Sequence, residues 1–236
     1  MTKMLASVAS LHEAQQALAW GADIIDLKNP NDGALGAVAL DVIAATVRVI
    51  AGQRLLSATI GDTPDDVLAL KHKIHTFAAT GIDIIKIGIA TSQWPKATQY
   101  QSGTWQCLRQ EPASVRLVAV LFADQQPDFT FIDTLANCGF YGAMLDTADK
   151  FSGGLRTHQS NEKLAAFVSR VRARGLLCGL AGSLCVADVE PLLELQPDYL
   201  GFRGALCRGT SRTEALDPIS FASIRNRIPI AQFADA

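Results

Sequence analysis

The chain lacks a dominant charge: 21 Lys and Arg stand against 23 Asp and Glu over 236 residues, a formal net charge of −2. No global field favours nucleic acid or an anionic membrane, so any anion must be held locally. Cysteine is sparse and scattered (Cys107, Cys138, Cys178, Cys185, Cys207), without a C-x-x-C pair, which argues against a disulfide framework or a zinc site. Reduced, mostly buried thiols are expected. His12, His72, His75 and His158 share no metal-ligand spacing, so no metal is expected, and His72 and His75 read as a solvated helix face. No apolar run approaches the ~20 residues of a membrane span. The N-terminus has no basic segment followed by an apolar one, because Glu13 intervenes, and the expectation is a cytosolic protein without a membrane or nucleic-acid partner. Also missing is a glycine-rich fingerprint after the first apolar run, where Val8 is followed by Ala9-Ser10-Leu11-His12. That omission weakens a doubly wound nucleotide-binding fold.

What is present is a series of short apolar runs in a chain that is 49% hydrophobic. Met4–Val8, Asp23–Lys28, Leu55–Ile60, Ile84–Ile89, Leu117–Phe122, Gly142–Asp146, Leu176–Ala181 and Tyr199–Arg203 are nearly continuous in Ile, Leu and Val. Strands buried on both faces of a parallel sheet require that pattern. Segments with apolar spacing near three to four alternate with them: Leu11–Trp20, Asp41–Ile50, Asp65–Thr80, Lys96–Arg109, Phe129–Cys138, Asn161–Arg174, Val186–Leu195 and Pro218–Arg227. The first carries a Ser10/Glu13 capping box and a Gly21 stop. Trp20, Trp94 and Trp105 read as helix packing. The alternation predicts an α/β fold, a closed (β/α)8 TIM barrel forming one domain over residues 1–236. The turn Ser152-Gly153-Gly154 reads as a mobile βα loop.

A barrel keeps its chemistry at the C-terminal ends of its strands. The second run ends Asp26-Leu27-Lys28, placing Asp26 and Lys28 on one face, and the fourth reads Ile84-Ile85-Lys86-Ile87. The sixth ends Leu145-Asp146-Thr147, with Lys150 close behind. Buried ammonium groups need carboxylates, and Asp26 and Asp146 are the candidates for Lys28 and Lys86. A desolvated lysine beside another cation loses affinity for its proton, and a neutral amine can form a Schiff base or act as a base. After the last two strands, Gly182, Ser183, Gly204 and Gly209 leave room for a phosphate, with Arg203 and Arg208 as charged partners.

The segment Gly21–Pro30, with Ser57–Asp62, Ile85–Gly88, Ala143–Ala148, Gly179–Ser183 and Arg203–Ala205, resembles the (5-formylfuran-3-yl)methyl phosphate synthases. The likeness runs from the first strand to the last. It implies a lyase that condenses two molecules of glyceraldehyde 3-phosphate into a furan aldehyde phosphate, with loss of phosphate and water, for methanofuran-type cofactor biosynthesis. By motif match Lys28 is the Schiff-base lysine and Lys86 the proton acceptor, with Asp26, Asp146 and Lys150 in the same pocket. An imine supplies the electron sink, so no cofactor is expected. The expected partner is a phosphorylated aldehyde, and the chain is expected to form a homo-oligomer. The match is poorest over Asp149–Gln159 beyond Lys150, which leaves Arg156 and Arg116 as candidates for the departing phosphate.

The residues leave two alternatives. One is a Schiff-base aldolase or isomerase of another sugar phosphate, which would share the lysines and phosphate loops but make no furan. The other is a binding or regulatory barrel that has lost catalysis, against which the intact Lys28, Lys86 and Asp146 argue.

Overall fold

Eight parallel strands close on themselves: β1 (Lys3–Val8), β2 (Ile24–Leu27), β3 (Leu55–Thr59), β4 (Ile84–Ile89), β5 (Arg116–Phe122), β6 (Gly142–Asp146), β7 (Leu177–Leu180) and β8 (Tyr199–Phe202), with β8 returning to β1. A computed structural model describes residues 1–63, 66–89 and 115–230. The expected helix Lys96–Arg109, with Trp94, Trp105 and Cys107, lies outside the described residues. The helices described are α1 (Leu11–Ala19), α2 (Leu40–Ile50), α3 (Val67–Ala78), α4 (Phe131–Asn137), α5 (Leu155–His158), α6 (Asn161–Ala173), α7 (Val189–Leu193) and α8 (Pro218–Arg225).

Strand alternation sorts the core into two clusters. Outward residues such as Ile25, Ile85, Ile87, Leu145 and Leu180 pack under the helices, while Leu5, Ile24, Ile84, Val118, Val120 and Met144 fill the barrel itself. Gly179 faces inward, where a Cβ would lie 2.1 Å from the Tyr199 ring; its bareness lets that ring plug the interior. Tyr199 donates its hydroxyl proton to Met144 Sδ at 3.3 Å.

Three aspartates pin the opposite, N-terminal rim. Asp23, Asp83 and Asp198 each precede a strand and accept from a backbone N–H of the strand before it, Met4, Leu56 and Cys178 respectively, at 2.7–2.8 Å. Arg225 on α8 braces Asp23 at 2.6 Å. These contacts fix register at the end remote from the site.

Several local expectations shift. Ser10 caps α1 by accepting from Glu13 N at 3.2 Å, but the Glu13 carboxylate reaches past the cap to Ala9 N, at 2.7 Å, and to Arg203. The expected helix Val186–Leu195 is a 3₁₀ turn over Val186–Asp188 followed by α7, where Pro191 stands in the first turn and forfeits no helical bond. The Ser152-Gly153-Gly154 turn leads into the unexpected α5, whose buried Leu155 donates its N–H to Gly182 O at 2.8 Å. No helix among the described residues is long and apolar enough to cross a membrane.

Candidate active site

Alternation carries Asp26, Lys86 and Asp146 inward at the C-terminal rim, with Lys28 one residue beyond β2. They line a cavity of ≈ 770 Å³ that also takes in Lys150, Arg203 and Arg212. Two carboxylates organise the charges. Asp26, 1% exposed, accepts from Ser7 Oγ at 2.9 Å and Ser57 Oγ at 2.5 Å, and holds Lys86 Nζ at 2.8 Å. Asp146 holds Lys150 Nζ at 2.5 Å and Lys28 Nζ at 3.5 Å, and accepts from Thr147 N at 2.8 Å. Lys150 also donates to the Thr147 carbonyl. Of the two pairings open to the sequence, Lys86 takes Asp26 and Lys28 takes Asp146.

Burial weakens proton binding at two of the lysines. Burial lowers the affinity of Lys86 for its proton more than the Asp26 charge and hydrogen bond raise it, and nearby Lys28 adds to the fall. Lys150 is lowered by the same order of causes: burial first, opposed by Asp146, then aided by Lys28. Burial alone would raise Asp146, yet Lys150 and Lys28, with hydrogen bonds from Lys150 and Thr147, outweigh it and hold the carboxyl far below the usual range. Asp146 is thus an ionised anchor between Lys28 and Lys150. The Tyr199 ring centroid lies 5.7 Å from Lys86 Nζ, forming an apolar floor beneath it.

Residues 4–225 match a family model described as 4-HFC-P synthase. The chain belongs to this family. A candidate (5-formylfuran-3-yl)methyl phosphate synthase of Methylorubrum extorquens is 39% identical over 234 residues, covering 99% of this chain and 94% of that one. The (5-formylfuran-3-yl)methyl phosphate synthase of Methanocaldococcus jannaschii is 34% identical over 215 residues, covering 89% and 92%. Among solved structures, phosphoribosyl anthranilate isomerase from Thermus thermophilus is similar with a TM-score of 0.62 at 13% identity, over 96% of this chain and 98% of that one. A 3-hexulose-6-phosphate synthase gives 0.60 at 14% identity, over 97% and 100%. Identities that low carry the fold alone. A family of synthases is a family of enzymes, and the alternative of a barrel kept only for binding falls away.

In this member of the 4-HFC-P synthase family the expected phosphate residues divide. Gly182, Ser183 and Gly204 line the cavity, and among the described residues their N–H groups donate to no protein acceptor. Gly182 has φ +111, and a Cβ there would lie 3.0 Å from Thr147 Cγ2. Arg203, expected to lend charge to a phosphate, lines the cavity but spends its guanidinium on both Glu13 oxygens and on the carbonyls of Ser7, Arg212 and Glu214, at 2.5–3.2 Å. Arg208 is exposed and outside the cavity lining.

The candidates for the departing phosphate are displaced as well. Arg116 is the first residue of β5, at the rim opposite the site, and stacks over Tyr141 at 5.0 Å. Arg156 pairs with Asp188 at 3.3 Å and does not line the cavity. Sequence reasoning missed Ser7, Tyr199, Glu13 and Arg212 as parts of the site. Ser7 was detectable, as a hydroxyl two residues from inward Leu5, whereas Arg212 sits in a loop that no periodicity places.

Proposed function

We propose that this enzyme makes (5-formylfuran-3-yl)methyl phosphate, the product that the names of its relatives state, by condensing two molecules of glyceraldehyde 3-phosphate through a Schiff base on Lys28. The observation that carries this reading is the convergence of three lysines and two aspartates on one cavity, with the proton affinity of Lys86 lowered by burial. Lys28 attacks the aldehyde carbon and expels water, leaving an iminium. Lys86, its ammonium deprotonated, removes the proton on C2. The electron pair enters the iminium and returns to expel phosphate from C3, leaving an enol with a nucleophilic methylene carbon. The second triose phosphate first becomes its ketone isomer, as Lys86 removes its C2 proton and returns a proton to C1 of the enediol, and the methylene carbon then bonds to its carbonyl carbon. Ring closure and dehydration finish the furan, and hydrolysis of the imine restores Lys28. Overall, two trioses give the furan phosphate, one orthophosphate and two waters, without a net oxidant.

Asp146 fits an electrostatic role: fixed as an anion, it orients Lys28 and Lys150 over the reacting carbons. Asp26, held by two hydroxyls, orients Lys86 and accepts its proton during turnover. The N–H groups of Gly182, Ser183 and Gly204 suit the phosphate that the product retains. The reading extends to a small-molecule substrate, a cytosolic setting, a homo-oligomeric state and a product destined for a methanofuran-type cofactor.

Incubating the pure enzyme with glyceraldehyde 3-phosphate should generate a furan chromophore and one orthophosphate per product, with the furan phosphate identified by mass. Conversion to an aldol or an isomer without a furan would instead establish the sugar-phosphate aldolase or isomerase alternative.

A further inference from the structure

Five cations line the cavity: Lys28, Lys86, Lys150, Arg203 and Arg212. The first four each have a carboxylate within 4.0 Å. Arg212 has none among the described residues. Its one hydrogen bond within the described chain runs from Nη2 to Gly33 O at 2.8 Å, which leaves Nε and Nη1 as donors without an acceptor among the described residues.

We propose that Arg212 is a phosphate ligand of this site, its guanidinium held over the cavity to receive a phosphomonoester or free orthophosphate. The proposal rests on the reading of the cavity as a site for phosphorylated substrate. Its geometry is preset from two sides. Arg203 accepts Glu13 as its counter-ion and donates Nε to Arg212 O at 2.8 Å and Nη2 to Glu214 O at 3.1 Å, clamping the backbone of the loop after β8. Gly204 lets that loop close, since a Cβ would lie 2.9 Å from Thr210 O. On the far side, the bond to Gly33 O spans from this loop to the one after β2, so the guanidinium bridges the mouth. The Asp146 carboxylate acts on Arg212, and Arg212 acts on Lys150, across the same opening. Counting Glu13 with Asp26 and Asp146, five basic side chains face three carboxylates, an excess that persists when Lys86 is deprotonated and suits an anionic ligand. A fork donor already ordered by its backbone loses little entropy on engaging phosphate. Arg203 is then a positioning residue: it places Arg212 without touching the ligand.

The test is titration of the intact enzyme with inorganic phosphate, followed by heat, alongside Arg212→Gln, Arg212→Lys and Arg208→Gln. Glutamine removes the charge, and the Arg203 bonds to the carbonyls of Arg212 and Glu214 still hold the loop. Arg212→Gln should weaken phosphate by at least about tenfold, and Arg212→Lys, with a point charge and no fork, by less. The KM for glyceraldehyde 3-phosphate should rise in the same order, which separates the substrate phosphoryl group from free phosphate as the ligand. Unchanged phosphate affinity in both Arg212 variants, or a loss confined to Arg208→Gln, would overturn the proposal. A furan-free product with phosphate binding still dependent on Arg212 would sink the proposed reaction and leave this site standing.

Discussion

Lys86 Nζ lies 2.8 Å from Asp26 Oδ1, and both side chains are almost wholly buried. The same carboxylate is held by Ser7 and Ser57, so removing the ammonium leaves an anion with hydroxyl donors but no counter-charge. Lys86→Met should therefore lower stability by about 3–5 kcal/mol. The double variant Lys86→Met/Asp26→Asn should recover most of that loss. Urea unfolding of both proteins checks it: a double variant as unstable as the single one would show that packing, not the unpaired charge, dominates.

Lys86→Arg separates charge from basicity. Guanidinium stays protonated throughout the working range, so the fold should persist while turnover disappears. Near-wild-type turnover would make Lys86 an electrostatic clamp rather than a base.

The pH dependence follows from two downward shifts, which both make stability rise with pH. Lys86 binds its proton less tightly folded than unfolded, so between its folded pKa and the ordinary ~10.4 the unfolded chain holds more protons and stability rises with pH. Turnover should rise with pH along the same limb, with a midpoint below ~10.4. Asp146 is lowered, so its contribution is complete above the ordinary ~3.9 and is lost as acid protonates it. The stability gap between wild type and Asp146→Asn should shrink as pH falls from about 6 toward about 2; a gap independent of pH would contradict the assignment.

Gly179→Ala tests the barrel floor. A Cβ 2.1 Å from the Tyr199 ring cannot be absorbed by the end of a flexible chain, so the ring must move. The expected loss is about 1–3 kcal/mol, with a fall in turnover as the surface beneath Lys86 is disturbed. Thermal midpoints with kinetics on the same preparation read both.

The barrel was legible because its evidence is periodic. Runs such as Ile84–Ile89 are continuous in apolar residues, and a lysine within one can only point inward or be buried under a helix. Lys28, Lys86 and Asp146 stood out as charges in apolar strands. Their pairing was not legible, because Asp26 and Asp146 both fit either lysine until the closed barrel sets the distances. Arg203 misled for a related reason: beside Gly204 it resembled a phosphate ligand, but its counter-ion, Glu13, is contributed by α1 and its capping pattern explained it otherwise. Arg212 was hidden because a loop has no period, and its place depends on the carbonyl of Gly33, remote in sequence.

In the proposed reaction Lys28 carries the imine. Borohydride reduction of the enzyme during incubation with glyceraldehyde 3-phosphate, followed by mass mapping of the modified peptide, tests this. A triose-derived adduct is expected on Lys28, absent from Lys28→Arg. An adduct on Lys86 or Lys150, with Lys28 unmodified, would contradict it.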